Sequence, residues 1–445
     1  MALVAFLFAA ALVFFEPKPA AASVLFTTNS SGCAVLSNGL CSITVAISNS
    51  LVYDLRGATG PSFVSGSSSG KGYMNFDANF DATLGGNTSN FFLFPSPVTY
   101  SVVTNTASEV EVKFRNPNFG QPSGWPTGAL DLEIHYRMAS GDNGFYTYAI
   151  LRHGVGRPQT GIGQMRMIIR TTDSFFWRYV NTNDTGYVQP GSWMTNAIYD
   201  SAWVLPRTNT FTVPTFTNGI TSNVVVAVTN AMFGRDKSNT VAVFSKYDWS
   251  EILENHTLQG MANETNGLWM MWPSREYFNG GPTHGTIQLY SELWEIQGGH
   301  SGGAGIGLDA DETWEKIYGP YYVCTTTGTN HTQQYQAALA RSATEISSWP
   351  YSWVRETEAT YPRTRGTVSG KLTIATGQTT SNALMVLAPD AGVYWQLQSK
   401  GYEFWTRADS NGNFSIPKVR PGTYSLFARV PGMFQEFEQV GVVVT

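Results

Sequence analysis

Two histidines follow closely after glycine pairs. His284 closes the stretch Asn279-Gly280-Gly281-Pro282-Thr283-His284, and His300 follows Gln297-Gly298-Gly299. Glycine lets backbone approach a ligand closely and can leave a neighbouring imidazole exposed, so both are candidates for ligand contact or proton transfer. Incidental histidines in two glycine-rich turns are the plainer alternative. Of the 6 histidines in the chain, His135 and His153 occupy or follow strand-like segments, where a structural role is the default. His256 and His331 fall inside Asn-x-Thr sequons and are expected at the surface. No His-Glu-x-x-His spacing, Walker loop or dinucleotide fingerprint occurs, so neither a catalytic zinc nor nucleotide chemistry is expected. Gly-x-Ser-x-Gly occurs at Gly66 to Gly70 and at Gly299 to Gly303. A nucleophile elbow needs a helix immediately after its serine, and Ala304-Gly305-Ile306-Gly307 is too glycine-rich for one. Aromatic residues crowd the second half of the long N-terminal region: Trp177, Tyr179, Trp249, Trp269, Trp272, Tyr277, Trp294 and Trp314. Such rings serve either as core or as platforms on which sugar rings stack, and composition alone does not separate the two.

The elements that must position these residues read as strands. Ser42 to Ile47, Val110 to Phe114 and Asp131 to Tyr136 alternate apolar and polar residues with period two, between segments rich in Gly, Asn, Pro and Ser. Many such strands in one stretch predict a large β-sandwich. Thr332 to Ser348, through Tyr335, Ala338, Leu339, Ser342 and Ile346, has helical spacing instead, and is expected to dock at the edge of that sandwich. After a passage bracketed by Pro350 and Pro362, strand-like segments at Val368 to Ile374, Ala383 to Leu387, Val419 to Leu426 and Val442 to Val444 predict a second sandwich of fibronectin type III character, with a turn at Asp409 to Asn413. The expected division is residues 1–22 as a signal peptide, 23–362 as the large domain and 363–445 as the small one.

Composition agrees with that picture. Only 13% of residues are charged, and the formal net charge is −5. A helical cytosolic protein would carry more Glu and Lys, and no basic stripe marks a nucleic-acid binder. An anionic polymer would need positive charge concentrated in a cleft. The apolar run Leu3 to Phe15, followed by Ala20-Ala21-Ala22-Ser23, resembles a cleavable export signal and is too short to span a membrane. Secretion, no membrane and no nucleic-acid partner are therefore expected. Sequons at Asn29, Asn87, Asn183, Asn255, Asn263, Asn330 and Asn413 suit a secreted glycoprotein. Among the 3 cysteines, Cys33 and Cys41 are expected to close a short loop, leaving Cys324 over.

Several segments together, in order along the chain, resemble polysaccharide lyase family 4, the rhamnogalacturonan endolyases. They are Gly144 to Ile150, Gly163-Gln164-Met165-Arg166, Ser245-Lys246-Tyr247-Asp248, Trp269 to Gly281 with Pro282 and His284, Gln297 to His300, Trp314 to Pro320, Ser347 to Tyr351 and Arg365 to Gly370. The most specific are Trp272-Pro273-Ser274 with Gly280-Gly281-Pro282, and Trp314-Glu315-Lys316-Ile317-Tyr318-Gly319-Pro320. The resemblance implies a galactose-mutarotase-like β-sandwich followed by the fibronectin-like unit, with the family's third, jelly-roll carbohydrate-binding domain expected to be absent. It implies β-elimination at the rhamnose-(1→4)-galacturonate bond of rhamnogalacturonan I.

By that resemblance Lys246 looks like the family's catalytic lysine and His300 like its catalytic histidine. Lys246 is assigned as base and His300 as acid, and the reverse assignment stays open. Arg166 resembles the arginine set against the substrate, where a guanidinium can clamp a carboxylate with two parallel bonds. Arg170, four residues on in a strand, shares its face. His284 and Tyr290 are further substrate-binding candidates. No catalytic metal is implied, a structural calcium stays open, and a monomer is expected. A non-catalytic carbohydrate-binding sandwich and an aldose-epimerase-like enzyme are the rival readings, since one sandwich can host several functions.

Overall fold

The computed structural model describes residues 23–65, 73–81, 90–120, 127–172, 175, 177–180, 185–187, 202–206, 210–217, 220–227, 241–245, 249–252, 254–288, 292–298, 304–375, 377–389 and 392–445. Residues 1–22, expected to be an export signal, lie outside them, as do both Gly-x-Ser-x-Gly motifs.

Two antiparallel sheets face each other across one core. Neighbouring strands of the first run Leu25–Thr28, Cys33–Ser37, Cys41–Ala46, Val52–Gly57, Tyr73–Phe80, Thr160–Arg170 and Glu292–Gly298. Those of the second run Thr185–Tyr187, Trp177–Val180, Leu258–Ala262, Asn266–Met271, Trp314–Thr327, Gly144–His153, Leu130–Ala139, Glu109–Phe119 and Thr99–Asn105. Period-two alternation explains which side chains enter the core. Met74, Phe76, Ala78 and Phe80 meet Met165, Met167 and Ile169 from the first sheet, against Leu132, Ile134, Tyr136 and Met138 from the second.

The second sheet is buried on its outer face too. Leu130–Ala139 is buried at nearly every position because its polar half, Glu133, His135 and Arg137, lies beneath the segment that follows the helix. From that segment Trp353 covers the Arg137 guanidinium at 4.3 Å, and Arg355 pairs with Glu109 at 2.5 Å. The helix His331–Ser348 begins with the Asn330 side chain accepting a bond from the Gln333 amide, which satisfies a donor that the first helical turn leaves over. It packs on the face of the second sheet rather than at its edge. Tyr335 and Ala338 join Tyr148, Trp269, Met271 and Tyr322 in a second core there.

From Gly366 a smaller unit forms. Gly366–Lys371 pairs with Asn413–Val419, opposite a sheet ordered Phe404–Arg407, Leu384–Pro389, Gly422–Arg429 and Glu436–Val444. Its own core holds Met385, Leu387, Phe404, Ile416, Val419, Tyr424 and Val430. The chain is thus all-β in its sheets, a large sandwich followed by a small one.

Two sequence expectations need correction. All three cysteines are free. Cys33 pairs with Ala46 at the open end of its hairpin, whereas Cys41 opens the return strand beside the turn. Five residue steps of strand, about 17 Å, separate those two levels, well beyond the roughly 7 Å Cα limit of a disulfide. His256, expected at the surface, is only 1% exposed.

Candidate functional site

The outward face of the first sheet carries an ionic strip across three strands. Arg166 on Thr160–Arg170 lies opposite Asp77 on one neighbour and Ile296 on the other, and Arg170 lies opposite Glu292. Met165, Met167 and Ile169 enter the core, so alternation sends Arg166 and Arg170 to the other face. Arg166 Nε donates to Asp77 Oδ1 at 2.7 Å and its Nη2 to Oδ2 at 2.9 Å, a two-pronged pair. Both partners are buried, Arg166 at 5% exposure and Asp77 at 0%. Burial raises the Asp77 carboxyl above its ordinary range, and the Arg166 charge opposes that rise. Arg170 Nε reaches Glu292 Oε1 at 3.0 Å. The arginine expected to clamp a carboxylate does so, but the carboxylate is the chain's own. This holds the guanidinium in one orientation and leaves the strip close to neutral.

His284 belongs to the opposite side. It is 0% exposed, its Nδ1 is bonded to the Asn279 carbonyl at 2.8 Å, and its ring stacks on Phe278 at 4.6 Å. Its Nε2 lies 3.7 Å from Glu295 Oε1. Glu295 precedes Ile296 and pairs with the core residue Met167, so its side chain leaves the strand on the face away from Arg166. His284, expected among the substrate-binding residues, is therefore buried on the face away from Arg166. The glycines before it have a local cause as well. Gly280 and Gly281 have φ of 81° and 51°, and a Cβ on Gly281 would sit 3.0 Å from Glu403 Oε2.

Around His284 lies a polar cluster that sequence reasoning did not single out. Lys316 is fully buried and donates to Asn279 Oδ1 at 3.1 Å and to the Ser399 carbonyl at 2.8 Å. Burial pulls its ammonium down to about 7, against the opposing charges of Glu403 and Glu295. Burial pushes Glu295 up to about 8, although Tyr321 and Gln297 both donate to its carboxylate. Glu403 is likewise raised well above the carboxylate range by burial. Residues 276–284 and 314–318 come from the large sandwich and 398–403 from the small one, so the cluster seals their junction. Beside it Glu276 binds Arg365 at 2.5 Å and Arg420 at 2.8 Å.

Lys246, His300 and Tyr290 lie outside the described residues. What the structure fixes near His300 is the strand leading to it: Gly298, its last residue, pairs with Gln164, two positions from Arg166. Of the aromatic residues offered as sugar platforms, Tyr179, Trp269, Trp272, Tyr277 and Trp314 are buried and serve as core. Asp77 was missed for want of a motif. The one available signal was that Asn75 and Asp77 alternate with the apolar Met74, Phe76 and Ala78.

Comparison with known proteins bears on both sandwiches. Residues 364–445 match polysaccharide lyase family 4, domain II. The chain is 27% identical over 310 residues to the rhamnogalacturonate lyase of Dickeya dadantii, covering 68% of this chain and 46% of that one. It is 25% identical over 216 residues to rhamnogalacturonate lyase B of Emericella nidulans, covering 45% of this chain and 32% of that one. The chain thus spans less than half the length of these curated relatives. Among solved structures, a galactose mutarotase related enzyme from Lactobacillus acidophilus is similar over 67% of this chain and 98% of its own, at TM-score 0.32 and 8% identity. That overlap adds nothing to the sheet order described above. The small sandwich thus matches domain II of polysaccharide lyase family 4, and the chain that carries it is similar, at a distance, to rhamnogalacturonate lyases.

Proposed function

We propose that the protein is a secreted rhamnogalacturonan lyase that cleaves rhamnose-(1→4)-galacturonate bonds of rhamnogalacturonan I by β-elimination. Lys246 takes the C5 proton of galacturonate, the C4–O4 bond breaks with its electron pair leaving on O4, and His300 delivers a proton to that oxygen. A C4=C5 double bond remains on the uronate. The C5 proton is weakly acidic while the neighbouring carboxylate is anionic, so fixed positive charge beside that carboxylate is what the reaction most needs. Arg166 is assigned to that task, with Asp77 fixing the orientation of its guanidinium through Nε and Nη2. Arg170 and Tyr290 are assigned to binding the polymer.

The observation that carries this reading is a register. Gly298 pairs with Gln164 beside the Arg166–Ile296 pair, so the strand that precedes His300 in the sequence ends next to the arginine. That register supports assigning His300 and Arg166 to one site.

Incubation with rhamnogalacturonan I should give rising ultraviolet absorbance from the conjugated uronate, while homogalacturonan should not. Lys246→Ala and His300→Ala should each lower the rate at least about 100-fold, the range that acid–base groups contribute. Binding without any absorbance rise would mean a carbohydrate-binding protein instead. Action on free sugar alone would mean an epimerase.

A further inference from the structure

On the outer face of the second sheet, Glu133, His135 and Glu356 each bring one ligand atom within 4.8 Å of the others. We propose that these three residues bind one divalent transition-metal ion of the zinc class, and that the ion fastens the segment after the helix to the large sandwich.

The imidazole is built for this. His135 Nδ1 lies 2.8 Å from Glu111 Oε1, which also accepts a bond from the Tyr148 hydroxyl at 2.7 Å. The ring stacks on Tyr148 at 4.2 Å. In the neutral ring with Nδ1 donating to Glu111, the lone pair falls on Nε2, and a carboxylate behind the ring is the usual support of a metal-bound histidine. His135 is 2% exposed, and its buried Nε2 has no hydrogen-bond partner. Its neighbour, Glu133 Oε2, is 3.6 Å away, too far for a hydrogen bond. One nitrogen and two carboxylates suit zinc and its neighbours better than calcium, which takes six to eight oxygens.

The cations around the site leave room for an ion. Lys113 holds Glu133 through Oε1, at 3.2 Å, not through the oxygen that faces His135. Arg152 is the competitor, 3.2 Å from Glu133 Oε2 and 3.6 Å from Glu356 Oε2. It also holds Glu315 at 2.6 Å, a partner it keeps when an ion takes the other two. Glu133 and His135 belong to Leu130–Ala139, whereas Glu356 comes from the segment joining the helix to the small sandwich.

The test is calorimetric titration of chelator-stripped full-length protein with zinc chloride, with bound metal counted after dialysis. One zinc per chain is expected. Glu356→Gln should weaken binding about tenfold or more, and His135→Gln should abolish it. Cobalt(II) should give visible absorption bands that His135→Gln removes. Should His135→Gln fail to fold, Glu356→Gln, a change in a half-buried connecting segment, decides alone. Absence of stoichiometric zinc, or unchanged zinc affinity in Glu356→Gln, overturns the proposal. The site would then be an imidazolium held between Glu111 and Glu133.

Discussion

Asp77 decides what Arg166 can be. A buried guanidinium that loses a two-pronged carboxylate keeps its desolvation cost without the compensating bonds. Asp77→Asn should therefore destabilise the protein by roughly 3–5 kcal/mol, measured by urea unfolding. It should also lower the rate of uronate formation under folded conditions, because the guanidinium plane is no longer held. Arg166→Lys should fail as well, since an ammonium cannot replace a planar fork. Activity unchanged in folded Asp77→Asn would remove the ion pair from any catalytic account. This pair also marks the limit of what the sequence disclosed. Arg166 was visible through a family resemblance, but its partner lies 89 positions away in no motif. His284 was equally visible, but adjacent glycines signal close backbone approach without saying to what. Here the approaching groups are Gln398 and Glu403 of the small sandwich.

Strands assign faces, and Glu292–Gly298 shows how much follows from that. Ile296 is the register partner of Arg166, while Glu295, one residue earlier, enters the buried cluster with Tyr321 and Gln297. Glu295 is raised in the fold to about 8, so the folded state binds its proton over a range in which the unfolded chain has lost it. Its stabilisation is complete below the unfolded value of about 4.5 and is lost as pH rises towards 8. Thermal unfolding between pH 5 and 8 should show the wild type losing roughly 3 kcal/mol more than Glu295→Gln across that window. Parallel curves for the two proteins would show that the carboxyl titrates normally. The strands themselves were legible. Alternation located Cys41–Ala46, Glu109–Phe119 and Leu130–Ala139, and helical spacing located His331–Ser348 to within a residue. What alternation could not reveal is that the polar half of Leu130–Ala139 is also buried, since the covering segment is more than 200 residues away.

For the whole molecule, the junction between the sandwiches is ionic as much as apolar. Burial raises Glu276, but Arg420 and Arg365 outweigh that and hold its carboxyl below the usual range. Both guanidiniums come from the second unit, so Glu276→Gln should strand two buried charges at once. Differential scanning calorimetry should show the wild type unfolding in one transition and Glu276→Gln in two, with the small sandwich melting first. A single unshifted transition in the variant would mean that the junction is held by other contacts.

Lys316 sits in that same junction with its amine pulled down to about 7 and no exposure to solvent. Such a nitrogen is chemically reactive near neutrality yet shielded by protein on every side. Acetic anhydride at pH 8 should modify the surface lysines first and leave Lys316 nearly untouched, as read by peptide mass spectrometry. Loosening the two sandwiches from each other would reverse that order. The residue is a built-in gauge of whether the halves of the molecule are together, and rapid acetylation of Lys316 in the intact protein would show that they part freely.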